Sequence, residues 1–130
     1  MLRYPAGDGW GPDGLGVDDG GRVYRFTKPV CKVLLKVGSG EGTVYFGINE
    51  VITNPTAENE VIGGTINEGQ RVASITAEEA LAKGVPVGES ESVVIDCPID
   101  STHGRRGIWC IWLITDTGES STVTGGVVGM

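Results

Sequence analysis

The run Ile108-Trp109-Cys110-Ile111-Trp112-Leu113-Ile114 constrains this chain more than any other feature. It leaves no polar face, so whatever element it forms must be covered on both sides. It is far shorter than the ~18 apolar residues that read as a membrane-spanning helix. Its β-branched and aromatic content predicts a strand over Ile108–Thr115. Trp109, Ile111 and Leu113 would face one way, and Ile108, Cys110, Trp112 and Ile114 the other. Such a strand is either the centre of a core or a sheet edge covered by another chain.

Period-two patterning recurs elsewhere. In Val30–Val37, Cys31, Val33, Leu35 and Val37 share a face against Lys32 and Lys36. Thr43–Asn49 turns Val44, Phe46 and Ile48 inward, and the glycine-rich Gly38–Gly42 between these runs predicts a β-hairpin. Ser92–Cys97 alternates Val93, Ile95 and Cys97 against Val94 and Asp96, with Pro98 ending the run. Asn54-Pro55 marks a turn, Val61-Ile62 a short strand, and Ser121–Thr124 a return strand. One helix is predicted over Ala77–Lys83, with Thr76 and Glu79 as a capping box and Gly84 after its end. With 130 residues, the chain is a single domain. The expected fold is all-β, an antiparallel sandwich of jelly-roll or immunoglobulin-like type or a small barrel, with one short helix.

Residues 1–21 read as an extended arm, and residues 22–130 as the β-domain. Seven of the 22 glycines fall in the arm, with Pro5 and Pro12, and no regular period survives that density of breakers. Tyr4, Trp10, Leu15 and Val17 are apolar anchors spaced along it, and the glycine-rich end carries Val127 and Val128. These six are the candidate partner-contacting residues.

The formal charge of −7 repels phosphate, and only Arg105-Arg106 forms a basic pair, so no nucleic-acid partner is expected. No membrane segment and no secretory leader is evident, which points to a product made in the cytoplasm. Cys31, Cys97 and Cys110 lack the paired spacing of a zinc site and read as buried thiols, with a Cys31–Cys97 bridge left open.

Four motifs bear on chemistry. Asp116-Thr117-Gly118, after Leu113-Ile114-Thr115, resembles the aspartic-protease signature, but only 12 residues follow it, too few for the rest of that fold. It reads instead as a hairpin turn. Asp100, Ser101 and His103 crowd one loop and do not form a triad. Neither the acidic arm, with Asp8, Asp13, Asp18 and Asp19, nor Gly38–Gly42 has the spacing of a calcium or phosphate loop. No cofactor or metal is expected. Tyr45, Trp109 and Trp112 could make a sugar-stacking platform, but Trp109 and Trp112 face opposite ways on a strand, and core packing is the simpler reading.

The order of features carries a resemblance. Val33-Leu34-Leu35-Lys36-Val37-Gly38-Ser39-Gly40 precedes Val44-Tyr45-Phe46-Gly47-Ile48-Asn49, then Pro86-Val87-Gly88-Glu89-Ser90 opens Val93-Val94-Ile95. Ile111–Gly118 and Ser121-Thr122-Val123 follow. Over about residues 23–128 this resembles the small all-β virion proteins of tailed bacteriophages, notably capsid decoration (cement) proteins. The helix and the glycine content of the arm depart from that pattern. The resemblance implies a non-enzymatic virion protein, often a homotrimer, that binds the major capsid protein or another virion protein and braces capsomers. The alternative expectation is a carbohydrate-binding or adhesin-like module.

Overall fold

The computed structural model describes residues 15–60, 72–96, 107–116 and 121–129, with 27–29, 58–60 and 127–129 described by backbone alone. In chain order the elements are β1 (Leu15–Val17), β2 (Arg22–Val37), β3 (Val44–Ile48), β4 (Glu50–Ile52), β5 (Ala57–Glu60), β6 (Ala73–Ile75), α1 (Ala77–Lys83), β7 (Val85–Val87), β8 (Ser92–Asp96), β9 (Ile108–Thr115) and β10 (Ser121–Gly129). The fold is all-β and sandwich-like, without a closed barrel, as expected.

The 16-residue β2 organises it. Its first half lies between β9 and β5, and its second half between β10 and β8. Register slips on both neighbours, between Arg25 and Val30 against β9 and opposite Val128/Gly129 on β10, bracket the middle of the strand. Across that segment the inward-facing positions change parity, from Tyr24 and Phe26 to Val33, Leu35 and Val37. A strand that changes parity within one core must bend, as strands do where they pass from one sheet of a sandwich to the other. Two layers result: β5-β2-β9-β3-β7, and β1-β10-β2-β8.

Between the layers sits the main core, including Phe26, Leu35, Phe46, Ile111 and Leu113. A second core lies outside the first layer, where α1 and the parallel pair β4–β6 cover Val23, Trp112 and Ile114. The double coverage that the Ile108–Ile114 run demands is thus met within the chain, and β9 is a central strand between β2 and β3, not an edge. Helix α1 carries the predicted capping box, with Glu79 N–H donating to Thr76 Oγ1 (3.1 Å) and Thr76 N–H to Glu79 Oε1 (3.2 Å).

Several expectations change. The hairpin of Val30–Val37 with Thr43–Asn49 does not form, because β10 and β8 take the two edges of that half of β2 while β3 pairs with β9 and β7. Ser121–Gly129 is a strand, but it pairs with β2 and β1 rather than returning along β9, so the Asp116 connection joins strands that are not partners. Leu15 and Val17, grouped with the arm on sequence, form β1 on β10 and are buried in the chain's own core. The sheet therefore begins within the segment read as an arm. Gly84 ends the helix at φ −64°, not in the left-handed conformation of a glycine cap. It is needed for space: a Cβ there would lie 2.8 Å from the Trp112 ring and 2.9 Å from Tyr45 Cβ.

Candidate interaction surface

The two outer faces of the sandwich differ. That of the first layer lies under α1 and β4–β6, while that of β10-β2-β8 is bare among the described residues. Strand alternation sets Lys32, Leu34 and Lys36 outward from β2, because Val33, Leu35 and Val37 are committed to the core. Register then builds three rows across the layer. Thr124–Lys36–Ser92 and Lys32–Asp96 flank a middle row of Gly126–Leu34–Val94. Leu34 and Val94 are 42% and 57% exposed, which with Val85 (50%) makes them the large exposed hydrophobics of the described chain. Lys32 pairs with Asp96 across the strands, and that contact favours the protonated amine, raising the Lys32 pKa.

Loop carboxylates are engaged by the chain's own backbone. Gly40 N–H donates to Glu89 Oε1 (3.0 Å) and Thr122 N–H to Glu41 Oε2 (3.2 Å), so Gly38–Gly42 spends its amide on an internal acid rather than on phosphate. Asp18 receives Arg22 Nε at 2.9 Å and Gly20 N–H at 3.1 Å. Burial pushes the Asp18 carboxyl up, but hydrogen bonds from Thr56, Arg22 and Gly20 and the Arg22 charge outweigh it, holding the pKa below its ordinary 3.8. No cluster of three or more metal-ligating side chains occurs among the described residues.

Of the candidate contact residues, Tyr4 and Trp10 lie outside the described residues. Leu15 and Val17 are interior and offer a partner nothing. Val127 and Val128 are not a tail: their backbone pairs with Val33 and Lys32 in β10. Asp116 accepts a long hydrogen bond from the Tyr45 hydroxyl (3.3 Å), and its negative charge raises the phenol's pKa. Thr117, Gly118, Asp100, Ser101, His103 and Cys97 fall outside the described residues. Cys110 is buried and Cys31 half-buried. Tyr45, Trp109 and Trp112 make no shared platform, since Trp112 is fully buried and Tyr45 packs against its core.

Sequence reasoning missed the Leu34–Val94 row, although its signal was present: Leu34 interrupts the polar face of Lys32 and Lys36, and Val94 that of Ser92 and Asp96. No protein-family model matches this chain, and neither curated proteins nor solved structures give a significant match.

Proposed function

We propose that this chain is a non-enzymatic structural protein of a virion, most simply a capsid decoration protein, made in the host cytoplasm. In this reading it assembles as a homotrimer and braces neighbouring copies of the major capsid protein. The observation that carries the reading is the bare Leu34–Val94 row on a sandwich whose other outer face is covered. Two adjacent apolar side chains inside a charged rim make a small patch that a protein partner would cover. The resemblance in the order of strands and turns supplies the kind of partner. Many copies on a symmetric lattice would convert a small contact into firm retention.

Light scattering after size exclusion, with co-sedimentation on particles of the virus encoding the chain, tests the reading. The expected results are a mass of three times 13.6 kDa, about 41 kDa, and saturable binding to the particles. A monomer at all concentrations that leaves the particles unbound would overturn it.

A further inference from the structure

We propose that Asp19-Gly20, in the turn between β1 and β2, is a site of spontaneous aspartate isomerisation, and that Asp18 is the latch that keeps it closed in the folded chain. Such a modification is independent of what the chain binds.

The sequence supplies the reactive pair. Gly20 follows Asp19 and has no side chain to hinder its own nitrogen. That nitrogen can attack the Asp19 carboxyl carbon, forming the N–C bond of a succinimide while the carboxyl OH and the amide proton leave as water. Water then adds back and breaks one of the ring's two N–C bonds. Breaking the new bond restores aspartate. Breaking the other leaves the main chain running through the side-chain carbon, one CH₂ longer, with no net change in atoms and no oxidant or cofactor consumed. Asp19 is exposed, so water has access to its carboxyl.

The fold withholds the nucleophile. Gly20 N–H is committed to Asp18 Oδ1 (3.1 Å), and the Asp18 carboxylate is itself fixed by Arg22 Nε at 2.9 Å and by a hydrogen bond from Thr56. Gly21 N–H closes the turn on Asp18 C=O (3.3 Å), and Gly21 C=O accepts from Thr56 N–H (2.8 Å). Thr56 also walls in Gly20, since a Cβ there would come within 2.2 Å of Thr56 Oγ1. Turning the Gly20 amide toward the Asp19 side chain breaks several of these contacts at once. One hydrogen bond to a charged group is enough to hold the turn shut about tenfold or more. An added carbon between Asp18 C=O and Gly21 N–H is incompatible with the turn as it closes here, so the modification marks chains in which the β1–β2 turn has opened.

The test incubates the full-length chain at neutral pH, folded and in guanidinium chloride. Cleavage after Arg3 and Arg22 gives the peptide of residues 4–22, read by electron-transfer fragmentation, which cuts isoaspartate at its extra main-chain carbon. The same peptide holds Asp8-Gly9 and Asp13-Gly14, whose rates in the denatured chain calibrate an unhindered step. Isomerisation at Asp19 is expected to be at least about tenfold slower in the folded parent than in denaturant, because it tracks the open fraction of the turn. Asp18→Ala, folded by circular dichroism, is expected to recover most of the denatured rate. Asp18→Asn, whose side-chain carbonyl can still accept from Gly20, should stay close to the parent. Equal rates in the folded and denatured parent would remove the latch, and equal rates in the two variants would overturn the role of Asp18 as the acceptor. No isoaspartate at Asp19 even in denaturant would remove the site. Should Asp18→Ala not fold, hydrogen exchange of the Gly20 amide in the parent decides: protection is expected, and exchange at the unprotected rate overturns the proposal.

Discussion

Asp18 holds three parts of the chain together. Its carboxylate caps the turn at Gly20, pairs with Arg22 at the start of β2 and takes a hydrogen bond from Thr56, while its carbonyl accepts from Thr115 N–H of β9 (3.1 Å). Because its pKa is lowered on folding, the stability it adds is complete above the ordinary value of 3.8 and is lost as pH falls through the lower folded value. Asp18→Ala should therefore cost about 1–3 kcal/mol at pH 7, with the gap to the parent narrowing below about pH 4. Urea unfolding across that range checks this, and a gap independent of pH would assign the loss to packing alone. Asn49 does comparable work between β3 and β4. At φ 56° its side chain reaches β9 as a strand would, accepting from Trp109 N–H (2.8 Å) and donating to Gly107 C=O (3.1 Å). Asparagine tolerates that backbone conformation better than most residues.

Among the elements, β9 with what lies over it is the most exacting. Trp112 stands opposite Gly47 of β3, and a Cβ on Gly47 would come within 2.3 Å of the indole. Gly84 admits the far edge of the same ring beneath α1. Gly47→Ala should thus destabilise by at least the 1–3 kcal/mol typical of overpacking, about as much as a lost core contact. Trp112→Phe frees that space and removes an indole N–H that is buried without a hydrogen-bond partner. The double variant should consequently lose clearly less stability than the two single losses summed. Additive losses in denaturant unfolding would show that the ring and the glycine do not constrain one another. Both glycines are visible in the sequence, but nothing local shows that one tryptophan requires them, since the three meet only when β3, β9 and α1 assemble.

For the whole molecule, the buried status of β1 sets where the chain can be cut. Deleting residues 1–14 leaves β1 and its pairing with β10 whole and sets the reference midpoint of thermal unfolding. Deleting residues 1–20 also removes Leu15, Val17 and Asp18, exposing the β10 edge and opening the core, and should lower it by 10 °C or more, on the order of 2 kcal/mol for a domain of this size. Equal midpoints for the two truncations would return Leu15 and Val17 to the arm. Bending of one long strand through both layers also explains how 130 residues cover a strand like β9 on both faces without help from another chain.

By itself the sequence determined the inward alternation of Val33, Leu35 and Val37, of Val44 and Phe46 and of Val93 and Ile95, the place and capping of the helix, the all-β class and the need for β9 to be covered twice, but not the change of parity that puts Val30 and Ile108 in the main core and leaves Cys31 half-buried. These follow from period, apolar content and short-range hydrogen bonds, which are properties of a few neighbouring residues. Only the tertiary structure decided that β9 separates β2 from β3, that Leu15–Val17 belongs to the sheet, and that Leu34 and Val94 meet on a bare face. Alternation states which way a side chain points but not which strand lies beside it. Partners such as Leu34 and Val94 are 60 positions apart, and their pairing is fixed by how the two layers close over a common core.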